Sequence, residues 1–322
     1  DSPAVLETLA DVMGVSRFLW EDFLRMQHES LFPLVLSVPT FGEATSKVEL
    51  REALGRRLAR CASHDERVDA LNAFKDREMF RIDLRHIVGQ SDFATFSREL
   101  TSLADVALET ACNLAVAELS QKYGRATLAC GRLCRWCACA LGKFGGEELG
   151  FGSDLELLFI YEDDGQTNGS RSIVNGEYFI YVVQTLPRTL RARQEGIFEI
   201  DLRLRPFGRA GALASSLGGF ADYYSVGGAA AQFERLSLVR LRPVAGDPVL
   251  GDRVRRLRDA FVYSGHPLDV ANIRHLRHRQ ATELVARGQI NAKYSAGGLV
   301  DLEYYVQTCQ IAAGCLLYTS PS

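Results

Sequence analysis

Residues 150–161, GFGSDLELLFIY, constrain the fold of this chain more than any other stretch. Four consecutive apolar residues, 157–160, are typical of a buried strand, yet Asp154 and Glu156 stand two positions apart just ahead of them. Side chains at positions i and i+2 of a strand point to the same side, so the two carboxylates project together. The pattern predicts a core strand whose start is either a solvated strand end or a cation-binding site.

Size and charge limit the functions that the chain can have. It has 322 residues, 47% of them hydrophobic, which is enough for two or three domains. A formal net charge of −3 favours neither nucleic acid nor an anionic membrane as a partner. No apolar run approaches the roughly 18 residues of a spanning helix, and no charged-then-apolar leader opens the chain. We therefore expect a cytoplasmic protein without nucleic-acid or membrane partners.

Four of the eight cysteines cluster at Cys130, Cys134, Cys137 and Cys139, which raises the question of a zinc site. No second Cys or His pair follows at zinc-ribbon spacing. Residues 136–141, WCACAL, instead form the small apolar run expected of a buried strand, in which free cysteine packs as a small hydrophobic residue. We favour packing over metal binding for this cluster.

Helical periodicity marks both ends of the chain. In residues 101–123 apolar positions recur at near-helical spacing, and Thr101 or Ser102 could cap the start. A further helix is predicted from Asn175 until Pro187 ends it. Similar patterns mark residues 5–26 and 74–89, and helices return from about residue 230.

A second acid-bearing strand is predicted in residues 196–206, GIFEIDLRLRP. Its alternation places Glu199, Asp201 and Arg203 on one face. If this strand lies beside residues 155–161, Asp201 joins the carboxylate pair, and three such charges repel unless cations lie between them. Magnesium prefers oxygen ligands and keeps waters and substrate phosphates as its others, so two such ions could bind a triphosphate and activate an attacking hydroxyl.

Two glycines and two arginines could contact phosphate. Gly145 and Gly146 follow the predicted strand of residues 135–141, where they either let backbone N–H groups approach phosphate oxygens or form a plain tight turn. Arg203 and Arg205 carry planar guanidinium groups that suit phosphate, with salt bridges to nearby acids as the alternative.

Four stretches, in this order, make the chain similar to one known family. They are LGKFGGEELGFGSDLELLFIY, EIDLRLRPFGRAGALASSLGGFADYY, LVRLRPVAGDP and NAKYSAGGLVDLEYYVQ. Together they resemble the glutamine synthetase adenylyltransferase family, bifunctional enzymes that add AMP to a tyrosine of glutamine synthetase and remove it. The resemblance runs from about residue 141 to residue 310, and four motifs in register are more specific than any one alone.

The resemblance implies an α+β fold with a polymerase-beta-like nucleotidyltransferase core. A small mixed sheet would be flanked by N-terminal helices and a C-terminal helical bundle. The expected segments are a helical region at 1–125, the core at 126–235 and the bundle at 236–314. Residues 315–322, CLLYTSPS, break the character of what precedes them, and we interpret them as a non-native tail. The chain begins at Asp1 rather than methionine, which we interpret as the mark of a fragment or a processed chain.

The resemblance also implies the roles of particular residues. Asp154, Glu156 and Asp201 would be the catalytic, metal-binding carboxylates, with Mg²⁺ and ATP as cofactors. Glutamine synthetase would be the protein substrate, and a PII-type signalling protein a second partner. The residues expected at the nucleotide are Gly145, Gly146, Ser153, Arg203 and Arg205.

Two questions stay open at this level. The family usually has Asp where Glu156 stands, so a non-catalytic nucleotide-binding regulatory module of the same fold remains an alternative, as does a nucleotidyltransferase with another substrate. Family members carry two such domains, one adding and one removing AMP, whereas this chain has one. The motifs GGLVDLE and GSDLE favour the adding half, and DGQTNGSRS and NGEYF the removing half. We favour the adding half.

Overall fold

A computed structural model describes residues 44–192, 197–225 and 227–314. These residues form two compact units. Of the described residues, the first unit contains 44–122, 147–155, 184–192 and 197–200, and the second contains 123–146, 156–183, 201–225 and 227–314. Two central stretches thus pack with the N-terminal helices, and the predicted segments 1–125, 126–235 and 236–314 stay a prediction.

Three helices form the N-terminal part of the first unit that the structure describes, as the sequence predicts. The predicted helix of residues 5–26 and the predicted tail at 315–322 lie outside the described residues. The three helices are α1 (Lys47–Leu58), α2 (His64–Ile87) and α3 (Phe93–Tyr123).

The prediction that Thr101 or Ser102 caps α3 is wrong. The helix begins earlier, where the Asp92 carboxylate accepts a 2.7 Å hydrogen bond from the Thr95 N–H. Thr101 lies inside the helix, and its hydroxyl donates to the Ser97 carbonyl at 2.7 Å. A threonine hydroxyl can bond to either a cap N–H or a carbonyl one turn back, so the sequence alone does not separate the two positions.

Helix α3 passes the length and composition test for a membrane span, but 61% of the tested stretch is buried inside the protein. Its Glu99 side chain is 1% exposed and binds Arg81 at 2.5 Å and Arg85 at 2.7 Å. Because a buried charge is costly without its partners, this network ties α3 to α2. Both observations identify α3 as the core helix of the first unit.

A small mixed sheet carries the second unit, which confirms the predicted α+β class. The strands are β1 (Ala126–Leu128), β2 (Trp136–Ala140), β3 (Leu155–Tyr161), β4 (Gly165–Thr167), β5 (Ile200–Asp201), β6 (Ala214–Ser216) and β7 (Arg242–Gly246). The sheet has the order β5-β3-β2-β7, with β6 also paired to β3. Strand β3 runs antiparallel to β2 and parallel to β6, while β1 and β4 form a separate antiparallel pair.

Strand β7 lies within the region predicted to be helical. It pairs antiparallel with β2, with an irregularity between Ala138 and Cys139. Pro243 lies in this strand. Because proline has no backbone N–H to donate to a neighbouring strand, the sequence of this segment does not predict a strand. Its place at the edge of the sheet explains why the proline is tolerated.

The prediction that Pro187 ends its helix is wrong, since the helix continues to Thr189. Proline removes one N–H donor close to the end of the helix, which costs a single intrahelical bond. The next turn is intact, because the Leu190 N–H donates to the Leu186 carbonyl at 2.8 Å. The helices after α3 are α4 (Gly142–Gly145), α5 (Asn175–Thr189), α6 (Leu217–Tyr223), α7 (Glu234–Leu238), α8 (Pro248–Val262), α9 (Val270–Glu283) and α10 (Leu299–Ala312).

The predicted strand of residues 196–206 is much shorter than its alternation suggests. Of its described residues, 197–206, only Ile200 and Asp201 form a strand. Phe198 has a φ of 53°, in the left-handed region, which interrupts the strand on one side. On the other side the Arg203 N–H donates to the Asp201 carboxylate at 2.8 Å, which turns the backbone away from the ladder.

The packing interpretation of the cysteine cluster is confirmed for Cys137 and Cys139. Both lie in β2, 1% and 0% exposed, with their sulfur atoms 3.7 Å apart. They belong to a hydrophobic core that includes Leu158 and Val254. Polarisable small side chains fill this core between the sheet and the helices packed on it.

Candidate functional site

Glu156 lies near the start of β3, with its carboxylate against the backbone of Gly142. A Cβ on Gly142 would lie 1.3 Å from Glu156 Oε2, and Gly142 has a φ of +51°. The preceding Leu141 N–H donates to the Glu156 carbonyl at 2.9 Å, which fixes the backbone beneath the side chain. Gly142 therefore provides both the turn and the space that the longer acid requires.

Asp201 lies on β5, the strand next to β3, and its carboxylate binds Arg203. The guanidinium Nε donates to both carboxylate oxygens, at 2.9 and 2.7 Å, and Nη2 donates at 2.5 Å. Burial raises the pKa of Asp201, but the hydrogen bonds and the charge of Arg203 outweigh burial and hold the pKa below its ordinary value. The alternative weighed for Arg203, an ion pair with a site acid, is the arrangement found.

Asp154 follows a tightly hydrogen-bonded loop of the first unit. The buried Ser153 hydroxyl accepts a bond from the Gly150 N–H at 3.0 Å, which closes the turn just ahead of Asp154. The Ser97 hydroxyl of α3 donates to the Leu149 carbonyl at 2.8 Å. The role seen for Ser153 is thus to shape the loop that presents Asp154, which is partly exposed.

An aromatic cluster packs against the same loop. The sequence analysis did not predict this cluster. Phe151 packs on Phe96 with ring centroids 4.6 Å apart and on His86 at 5.7 Å. His86 in turn stacks on Phe96 at 4.6 Å. The sequence feature that could have predicted this cluster is Phe151, a large aromatic residue inside the GFGSD turn, where a solvated loop would have a polar residue.

The glycine pair has a packing role in this arrangement. The Gly145 and Gly146 N–H groups donate to the Leu141 and Gly142 carbonyls, at 2.8 and 3.0 Å, and so close the short helix α4. A Cβ on Gly145 would lie 2.0 Å from the Arg240 carbonyl oxygen, so no larger residue fits. These contacts leave the pair's predicted role at the phosphates as a proposal.

Arg205 holds its own loop. Its guanidinium Nε donates to the Gly211 carbonyl at 3.0 Å, Nη2 donates to the Arg209 carbonyl at 3.1 Å, and Nη1 donates to the Leu202 carbonyl. Backbone carbonyls thus take donors from all three guanidinium nitrogens. Of the two arginines, Arg203 is the one that pairs with a carboxylate.

The acids that the sequence singles out have the donor chemistry that magnesium prefers, because all are carboxylates. Glu156 and Asp201 come from adjacent strands, and Asp154 precedes Glu156 by two positions. Within the part of the chain that the structure describes, no three His, Cys, Asp or Glu side chains form a group that could hold a metal ion. Asp154, Glu156 and Asp201 therefore have the donor type that magnesium prefers without forming such a group, and Asp201 is held by Arg203. Their role in binding magnesium is a proposal.

Comparison with known proteins assigns the chain to a family. The family model described as glutamate-ammonia ligase adenylyltransferase matches residues 6–257. The chain belongs to this family, since the match covers more than half of its length.

Curated relatives carry the name bifunctional glutamine synthetase adenylyltransferase/adenylyl-removing enzyme. The protein of Nitrosococcus oceani is 32% identical over 96% of this chain, and that of Pseudomonas aeruginosa is 32% identical over 83%. The protein of Hahella chejuensis is 31% identical over 83%. The chain spans 32% of the length of the first of these relatives and 28% of each of the other two.

Proposed function

We propose that this chain carries an adenylyl-transfer centre of the polymerase-beta-like nucleotidyltransferase type, acting on a tyrosine of glutamine synthetase. In the adding direction the tyrosine hydroxyl oxygen bonds to the α-phosphorus of ATP, the bond to the β-phosphate breaks, and pyrophosphate leaves. In the removing direction a phosphate oxygen attacks the phosphorus of the bound AMP, the tyrosine oxygen leaves, and ADP is released. We favour the adding direction.

One observation carries this proposal. In a chain of this family, two carboxylates, Glu156 and Asp201, occupy adjacent strands of a small mixed sheet. Phosphoryl-transfer centres act mainly by positioning and by neutralising charge, and carboxylates on a rigid sheet suit that task.

The roles of the side chains follow from their chemistry. Asp154, Glu156 and Asp201 would hold magnesium, which when bound neutralises phosphate charge and favours loss of the proton from the attacking hydroxyl. Arg203 would exchange its carboxylate partner for nucleotide phosphate, because a guanidinium binds either group in the same bidentate way. Gly145, Gly146, Ser153 and Arg205 would shape the walls of the nucleotide site.

The partners belong to the same proposal. The names of the curated relatives give glutamine synthetase as the protein on which they act. We propose the same substrate here, a PII-type signalling protein as regulator, and a cytoplasmic location.

The test is an assay in both directions. The chain is incubated with magnesium, ATP labelled on the α-phosphate and unmodified glutamine synthetase, or with adenylylated glutamine synthetase and phosphate. We expect label on a glutamine synthetase tyrosine in the first reaction, and its loss in an Asp154→Asn variant. The control variant Asp252→Asn removes a carboxylate that pairs with Arg255 at 2.9 Å on the exposed surface, and it should react as the parent does.

The same assay separates the alternatives. Binding of ATP without turnover in either direction, by the chain and by a full-length relative tested in parallel, would overturn the enzyme proposal and favour a regulatory module. Turnover of ATP with transfer to another acceptor would overturn the substrate. The Glu156→Asp variant is informative here, because restored turnover would assign any loss to the longer acid.

A further inference from the structure

A cavity of about 270 Å³ lies within the second unit, beside the strand that carries Asp201. Its wall is mostly apolar and includes three aromatic side chains, Tyr223, Tyr224 and Phe233. Tyr223 and Tyr224 are buried, with their rings edge to face at 4.8 Å. Its size and its aromatic wall make the cavity a candidate binding site.

The aromatic wall is held rigidly by one carboxylate. The Tyr223 hydroxyl donates to Glu234 at 2.9 Å and the Tyr224 hydroxyl donates at 3.4 Å. The Ala231 N–H donates to the same carboxylate at 2.9 Å. Because the polar ends of the rings are engaged, their apolar faces and edges are what the cavity presents. A flat, weakly polar ring is the ligand that such a wall suits.

The cavity lies next to Asp201 through Arg203, which lines it and binds the Asp201 carboxylate. Leu141 lines it as well, and the Leu141 N–H donates to the backbone carbonyl of Glu156 at 2.9 Å. A molecule whose ring fills the cavity would therefore carry any attached group toward the guanidinium of Arg203. The guanidinium suits an anionic group.

We propose that this cavity binds the adenine ring of ATP and directs the phosphates toward Arg203. The inference rests on the proposed function and deepens it, because it gives the nucleotide a base site. At about 270 Å³ the cavity falls just short of the roughly 300–1,000 Å³ typical of pockets for whole drug-sized ligands. It is thus suited to a single ring system, with ribose and phosphates outside.

The test uses a substitution that fills the cavity. Ser237 lies on α7 and lines it, so Ser237→Leu places a larger apolar side chain in the space of the ring. Calorimetry with magnesium and either ATP or inorganic triphosphate measures the two parts of the ligand separately. We expect ATP affinity to fall by about tenfold or more and triphosphate affinity to stay unchanged, since one lost ring contact of moderate size is worth a factor of that order.

A matched control fills another cavity. Ala221 lines a separate cavity of about 420 Å³ in the same unit, and Ala221→Leu should leave both affinities unchanged. Circular dichroism and melting temperature establish that each variant is folded. If Ser237→Leu does not fold, the parent is photolabelled with 2-azido-ATP instead, and we expect the label on residues 223–238.

The outcomes separate the inference from the function. Equal ATP affinity in the parent and in folded Ser237→Leu, or photolabel outside residues 223–238, would overturn the base site and leave adenylyl transfer intact. A parent that binds neither ATP nor triphosphate would overturn both. A loss of ATP affinity in folded Ser237→Leu, measured without glutamine synthetase, assigns the cavity to the nucleotide rather than to the ring of the target tyrosine.

Discussion

At Gly142 the fold leaves space for a carboxylate, and filling that space tests the site directly. We expect Gly142→Ala to displace the Glu156 carboxylate while costing little more stability than Gly89→Ala. Both glycines have positive φ, +51° and +75°, and the left-handed backbone costs an alanine about 1 kcal/mol. Only at Gly142 does the new Cβ meet Glu156, whose flexible end can turn away. Urea unfolding measures the stability, and calorimetry should show about a tenfold loss of magnesium-dependent ATP affinity for Gly142→Ala alone.

Shortening the acid provides the check on this prediction. In Glu156→Asp the carboxylate withdraws from Gly142, so Gly142→Ala should lose less ATP affinity in that background. An equal loss in both backgrounds would mean that Gly142 acts through its backbone conformation and not through Glu156.

Glu162 makes the stability of the second unit depend on pH. Arg132 binds its two oxygens at 2.9 and 2.7 Å, and these hydrogen bonds hold the pKa of Glu162 below its ordinary value against the opposing effect of burial. The lowered pKa contributes stability that is present above the ordinary pKa of about 4.3 and is lost as the pH falls through the lowered value. We expect about 1 kcal/mol to be lost between pH 6 and pH 3 in the parent through this pair. Urea unfolding of Glu162→Gln should show a correspondingly smaller loss, and parallel pH curves would contradict the assignment.

At the scale of elements, the true start of α3 can be tested against the predicted one. Asp92→Ala removes the carboxylate that accepts the Thr95 N–H and should cost about 1 kcal/mol of unfolding free energy. Ser102→Ala, at the start that the periodicity suggests, should cost less than about 0.5 kcal/mol because the residue lies inside the helix. Chemical denaturation of the two variants decides between the positions, and the reverse order of costs would restore the sequence-based start.

The elements that the sequence revealed are those with a strong apolar signal. Residues 155–161 match β3 from end to end because a buried strand needs continuous apolar side chains. The alternation around Asp201 predicted too long a strand, because alternation alone does not reveal that Phe198 has a positive φ or that the Arg203 N–H donates to the Asp201 carboxylate. Strand β7 was hidden because its ladder depends on β2, which is distant in sequence.

The candidate site divides in the same way. Residue type, the shared strand face and the family resemblance made Asp154, Glu156 and Asp201 candidates, and their role stays a prediction. The contacts that shape the site could not be predicted, because they join distant parts of the chain. Examples are Gly142 beside Glu156 and the Gly145 backbone against Arg240. Close approaches of this kind leave no periodic trace in a sequence.

At the scale of the whole molecule, we expect magnesium and ATP to stabilise the folded chain, and we expect this stabilisation to depend on the Asp201 carboxylate. A ligand that binds only the folded chain, at a free concentration 100 times its Kd, adds about 2.7 kcal/mol to the free energy of unfolding. At roughly 2 °C per kcal/mol for a chain of this size, magnesium and ATP together should raise the Tm by about 5 °C. Asp201→Asn should abolish most of this shift, because it removes the carboxylate charge with almost no change in volume.

The unliganded variant separates a site effect from a folding effect. The Arg203 side chain is 59% exposed, so its pair with Asp201 contributes little to stability and the Tm of unliganded Asp201→Asn should fall by less than about 2 °C. Asp252→Asn breaks an exposed Asp–Arg pair elsewhere and should keep the full ligand shift. The measurement is thermal unfolding of the parent and both variants, with magnesium alone, ATP alone and the two together. A shift in Asp201→Asn as large as that in Asp252→Asn would remove Asp201 from the nucleotide site, whatever the result of the transfer assay.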